Sequence, residues 1–170
     1  MNKPVFIISC PFDTYSGYGG RSRDIVKAII ETEKYDVKLL SQRWGDTPFG
    51  FCKDHKEWKF LLDHKVIKID NKPDIWMQIT IPSEFQSVGT YNIGCTAGME
   101  SNLCDSTWIE GLNRMDMNWV SSQHSKNVFA VTKFEKRDKQ TQQIIGTIEV
   151  EKPIHVVLEG VNLDVYKFLP

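Results

Sequence analysis

The chain has 170 residues, 41% of them hydrophobic and 25% charged, and a formal net charge of −1. That length holds one α/β domain with a real core and is too short for two full domains. The near-neutral balance gives neither a nucleic-acid backbone nor an anionic membrane a default reason to bind, and no apolar run approaches the ~20 residues that span a bilayer.

The first element in chain order is Val5–Cys10 (VFIISC), apolar throughout and closed by Pro11. A strand buried on both faces of a parallel sheet reads this way. The residues before it lack the apolar stretch and cleavage site of a signal peptide, so a cytoplasmic location is expected. A glycine-rich stretch follows, Ser16-Gly17-Tyr18-Gly19-Gly20. Residues 21–33 then put Ile25, Val26, Ile29 and Ile30 on one helical face.

The alternation continues. Residues 36–40 (DVKLL) predict a second strand, and 54–64 carry Trp58, Leu61 and Leu62 at helical spacing. Residues 74–81 and Tyr91–Thr96 predict two more strands. Ser106–Asn113 predicts a helix with Ser106 as its N-cap. Met117–Val120 predicts a short strand, Ser122 caps a helix over 122–129, and 154–158 (IHVVL) form the last strand. Residues 133–143 are nearly all polar and predict a solvated helix or loop. Strands alternating with helices give an α/β class: a Rossmann-like, doubly wound, mainly parallel sheet of about six strands with helices on both faces. Residues 1–161 form that domain, and 162–170 read as the start of a linker.

Glycines between a first strand and a first helix let backbone amides approach an anionic or sugar ligand. A following helix N-terminus adds partial positive charge. Arg21 and Arg23 at the helix start run against the usual acidic preference and point to a nearby anion. The alternative is a tight turn that needs positive φ angles. Gly17-x-Gly19-x-x-Ser22 is only a partial dinucleotide fingerprint. Six residues, Pro11 to Ser16, precede its first glycine, and Ser41-Gln42-Arg43 after the second strand offers no acid for a ribose.

No HExxH, GxSxG or zinc spacing occurs, so neither a metal nor a cofactor is expected. Glu84 and Glu100 each follow the end of a predicted strand. They either share a crevice, where they position sugar hydroxyls or act as a base, or serve as caps and surface ion pairs. His124 falls in the first turn of a helix at a strand's C-terminal end, where open α/β sheets bind ligands. His155 reads as a core or edge residue, and Trp76, Trp108 and Trp119 as core. Cys10, Cys52, Cys95 and Cys104 form no CxxC pair and read as buried free thiols.

Taken together, these segments resemble the N-terminal half of GT-B-type glycosyltransferases, as found in bacteria and phages. The resemblance lies in the glycine loop through Arg21, in Thr96-Ala97-Gly98-Met99-Glu100, and in Trp108 to Asp116. It continues in Asn118 to Phe129, where Ser121 stands in place of a Pro-Ser-x-x-Ser proline, and in Ile154 to Asn162. The resemblance implies sugar transfer from a nucleotide-sugar to an unknown acceptor. Gly17, Tyr18, Gly19, Gly20, Arg21, Glu100 and Ser122 would contact the substrates, and Glu84, Glu100 and His124 are the catalytic candidates. It also implies a C-terminal donor-binding domain, or a partner chain, that this sequence lacks. An isolated half exposes its interdomain face, which self-association would cover. Substituting Gly19 by a β-branched residue is expected to abolish transfer with little effect on the fold. Two other readings stand beside this one: a non-catalytic binding or structural module, such as a phage assembly component, and an NADP- or nucleotide-binding Rossmann protein with Arg43 near a 2′-phosphate.

Overall fold

The structure, a computed structural model, describes residues 3–163 and 166–168. Of the expected linker, Asp164, Val165, Leu169 and Pro170 lie outside the described residues, as do Met1 and Asn2. Its spine is a seven-stranded sheet in which every pairing is parallel. The strands are β1 (Val5–Cys10), β2 (Asp36–Ser41), β3 (Lys65–Val66), β4 (Ile75–Ile79), β5 (Tyr91–Thr96), β6 (Met117–Val120) and, after a separate hairpin, β9 (Ile154–Val156). Their spatial order is β3-β2-β1-β4-β5-β6-β9. The chain winds outward from β1 to β3, then returns to the other side of β1 with β4. The order therefore reverses between β1 and β4, which makes their C-terminal ends the topological switch point of a doubly wound, Rossmann-like sheet.

Side chains alternate across the strands, and each face buries its own core. On one face Phe6, Ile8 and Cys10 of β1 join Leu39, Met77, Ile79 and Cys95 under helix α1 (Gly17–Glu31), with Leu61 from a 3-10 helix at Lys56–His64. On the other, Ile7, Trp76, Val120 and Ile154 pack against α3 (Ser106–Asn113) and α4 (Gln123–Val131) through Ile109, Leu112, Val128 and Phe129. Trp108 and Trp119 sit partly buried against these cores. The stretch expected as one helix over 54–64 is divided into a short α2 (Phe51–Asp54) and the 3-10 helix. Asp105, not Ser106, caps α3, its side chain accepting from the Thr107 amide.

One segment departs from expectation. Residues 133–143 form no solvated helix or plain loop; they start an antiparallel hairpin of β7 (Phe134–Arg137) and β8 (Ile144–Ile148). Asp138 makes the turn, its carboxylate accepting from the amides of Gln140 (2.9 Å) and Thr141 (2.7 Å). Those amides hold the Asp138 carboxyl below the usual carboxylate range. Both faces of this ribbon are largely exposed, so it carries none of the apolar alternation that marks a half-buried strand. No helix among the described residues is long and apolar enough to cross a membrane.

Candidate functional site

Helix α1 starts at Gly17, four residues earlier than the apolar pattern suggests. Ser16 is its N-cap, and Ser16 Oγ accepts from the Gly19 amide at 2.9 Å. Gly17, Gly19 and Gly20 thus form the first helical turn, and none of them has positive φ. A tight turn of left-handed glycines is therefore not what this segment builds. Gly17 is open, with nothing within 4 Å of where a Cβ would stand, whereas at Gly19 a Cβ would lie 2.4 Å from the Thr14 carbonyl oxygen. Gly17 leaves room for a ligand; Gly19 lets the helix close onto the loop after β1.

The two arginines at the helix start have protein partners. Arg23 is buried, donates Nη1 to the carbonyls of Phe12 (2.8 Å) and Thr14 (3.0 Å), and lies 3.4 Å over the Phe51 ring. It is a structural cation, not a pointer to an external anion. Arg21 donates Nη2 to the Val157 carbonyl at 2.5 Å and places Nε 3.8 Å from Glu159.

Tyr18 pins this helix start to the end of β5. Its hydroxyl accepts from the Ala97 amide and lies 3.1 Å from Thr96 Oγ1. Burial raises the Tyr18 hydroxyl above its ordinary value. Its ring stacks on Trp44, with centroids 3.9 Å apart and planes 22° apart. Gly17, Tyr18 and Arg21 line a cleft of ≈ 210 Å³ over the ends of β4 and β5, with Ile79 and Cys95 at its floor. It lies on the side of the switch point where open α/β sheets take their ligands.

A second cleft of ≈ 270 Å³ adjoins the first and shares Ala97 and Glu159 with it. It holds Glu100, Ser122 and His124. Ser122 is the N-cap of α4, accepting from the Ser125 amide at 3.0 Å. Ser125 Oγ in turn donates to the Ala97 carbonyl at 2.8 Å. Gly98, at φ 88°, makes this approach possible, since a Cβ there would meet Ser125 Oγ at 2.3 Å. His124 and Glu100 are both exposed, and neither has a side-chain hydrogen bond or ion pair among the described residues.

The sequence candidates therefore fall into three groups. Gly17, Tyr18 and Arg21 come together in one cleft, and Glu100, Ser122 and His124 in its neighbour. Gly19 is spent on packing. Gly20 donates its amide to the Ser16 carbonyl at 2.9 Å. Glu84 lines neither of these two clefts; it sits on the 3-10 turn Pro82–Glu84, where its carboxylate accepts from Thr80 Oγ1. Asp116, within the segment that carries the family resemblance, accepts from the Asn92 amide and side chain at the N-terminal ends of β5 and β6, the far end of the strands from the clefts. The role of Glu159 at both clefts escaped the sequence reading, where it fell just past the last predicted strand, within the segment of the resemblance. Trp44, which lines neither cleft but stacks on Tyr18, was not singled out at all.

No protein-family model, no curated protein and no solved structure matches this chain. What the arrangement can do follows from its chemistry. The N-termini of two capped helices face two adjacent clefts that share Ala97 and Glu159, beside one arginine, several hydroxyls and two exposed carboxylates. Such a lining suits a small, polyhydroxylated and anionic ligand. Among the described residues no group of three or more His, Cys, Asp or Glu is arranged to hold a metal ion.

Proposed function

We propose that this chain is a ligand-binding Rossmann-like module that serves as the acceptor-side half of a GT-B-type glycosyltransferase. The observation that carries this reading is the joined cleft at the switch point. It brings an open helix start at Gly17 and the Arg21 guanidinium in one cleft beside the α4 N-terminus at Ser122 in the next, the two sharing Ala97 and Glu159. In this role the chain supplies a wall for the acceptor and part of the diphosphate contact. A donor-binding domain supplies the remaining charge stabilisation that departure of the diphosphate demands. In this role His124 or Glu100, which line the second cleft, takes the proton from an acceptor hydroxyl.

The dinucleotide reading is weaker for a physical reason. In a dinucleotide fingerprint the second glycine gives the backbone access to the pyrophosphate. Gly19 is turned into the Thr14 carbonyl instead. Arg43, its partner for a 2′-phosphate, is exposed and pairs with Asp46 at 3.5 Å.

Amide shift mapping of the isotope-labelled chain with UDP-glucose, GDP-mannose and NADPH tests the proposal. Shifts from either sugar nucleotide that centre on Gly17, Tyr18, Arg21, Ala97 and Ser122 support it. Saturation of those residues by NADPH at lower concentration would replace it with a dinucleotide module. No shift in the joined cleft with any of the three would remove the cleft from consideration.

A further inference from the structure

Arg21 and Glu159 meet across the mouth of the first cleft. The Arg21 side chain is 14% exposed and anchored through Nη2 on the Val157 carbonyl; that of Glu159 is 59% exposed. Between Arg21 Nε and Glu159 Oε1 the distance is 3.8 Å, an ion pair but too long for a hydrogen bond. One end of the guanidinium is thus fixed to backbone, and the other is covered by a loosely held carboxylate. Glu159 has no second ion pair among the described residues and lines both clefts. An ion pair this exposed adds little to stability, so the fold does not depend on it.

We infer that Glu159 is a built-in stand-in for the ligand's anion, occupying the place beside Arg21 Nε that a phosphoryl oxyanion takes on binding. This rests on reading the joined cleft as an anion-receiving site. The incoming group displaces the carboxylate, which swings into solvent on the segment after β9. A filter on charge follows. A neutral sugar hydroxyl cannot offset the separation of Arg21 from Glu159. A phosphoryl group carrying more than one negative charge can, because its charge-assisted bonds to guanidinium are of the stronger kind. Glu159 is therefore a specificity residue that favours phosphorylated ligands and holds down affinity for everything else.

Calorimetric titration of the whole chain with inorganic pyrophosphate is the test, run as a cycle over wild type, Glu159→Gln, Arg21→Gln and the double variant. Glu159→Gln is expected to tighten binding about fivefold, and the gain is expected to vanish when Arg21 is also replaced. Repeating the cycle with UDP and with glucose 6-phosphate separates the sources: a gain with UDP assigns the group to a nucleotide diphosphate, a gain with glucose 6-phosphate to a phosphorylated acceptor. If wild type binds pyrophosphate and Glu159→Gln binds no better, the inference falls and the cleft reading stands. A gain of equal size with and without Arg21 would reduce Glu159 to a distant negative charge and also overturn it. If none of the four proteins binds pyrophosphate, the inference and the anion site fall together.

Discussion

Gly19 lies against Thr14 so closely that a Cβ on the glycine would stand 2.4 Å from the threonine carbonyl oxygen and 2.8 Å from its Oγ1. The carbonyl is backbone and cannot turn aside. Thr14 Oγ1 is itself committed, donating to the Pro11 carbonyl at 2.8 Å. A substitution at Gly19 must push α1 away from the loop after β1, and its cost is one of stability. This corrects the expectation that a β-branched residue at Gly19 would spare the fold. Gly19→Ala should destabilise by roughly 2 kcal/mol or more. Gly17→Ala, in open space, should stay within about 0.5 kcal/mol of wild type or gain slightly from better helix propensity. Urea denaturation of the two variants checks the contrast, and a Gly19→Ala midpoint equal to wild type would contradict the packing argument.

Arg23 should behave as a core residue despite its charge. It ties the carbonyls of Phe12 and Thr14 to α1 and covers the Phe51 ring, which itself stacks on His55 with centroids 4.0 Å apart. Removing it leaves the Thr14 carbonyl without its side-chain donor and the Phe12 carbonyl with only the weak Cys52 thiol at 3.7 Å, and opens a gap over an aromatic face. Arg23→Met should cost about 3 kcal/mol. Arg23→Lys should recover less than half of that, because an ammonium lacks the planar fork that reaches both oxygens while lying flat on a ring. Full recovery by lysine would mean that charge alone, not geometry, holds this corner.

Helix α3 depends on one glycine in the same way. A Cβ at Gly111 would stand 1.8 Å from the Pro82 carbonyl oxygen. That carbonyl belongs to the turn that Arg114 also holds, donating Nε to the Phe85 carbonyl at 2.7 Å and Nη2 to that of Ser83 at 2.8 Å. Gly111→Ala therefore cannot be absorbed by a rotamer change. It should cost upwards of about 3 kcal/mol and lower the melting temperature by several degrees, measurable by calorimetric melting.

The sheet was legible because its strands are short apolar runs buried on both faces: Val5–Cys10, Tyr91–Thr96 and Met117–Val120 match prediction residue for residue. What escaped was structure without such a signal. β3 is two residues at the edge beyond β2. The β7–β8 ribbon buries too little to show a period. The start of α1 was hidden because glycine has poor helix propensity and the cap at Ser16 overrides it. The candidate site was legible only as strand ends and helix starts, which is how Gly17, Arg21 and His124, now lining two adjacent clefts, were singled out. Contacts between distant segments, such as Arg21 with Glu159 or Tyr18 with Trp44, leave no local trace in the sequence, since only the fold brings them together.

All four cysteines are free and buried. Burial pushes the Cys10 and Cys52 thiols up to about 12 and that of Cys95 up to about 11, against an ordinary 9.0. Thiols so far from ionising should resist an aromatic disulfide reagent at about pH 8 until the chain unfolds, when all four react. The pH dependence follows from linkage. Because the folded values are raised, the unfolded chain gives up these protons first as pH climbs. The stability they contribute is complete below about pH 9 and is lost as pH rises from about 9 toward 12. Lysines and tyrosines titrate over part of that range, so the informative quantity is a difference: the fall of the urea midpoint with pH should be shallower in Cys10→Ala and Cys95→Ala than in wild type. Equal slopes would mean that these thiols ionise as readily in the folded chain as in the unfolded one, and rapid labelling of the native chain would say the same by a second route.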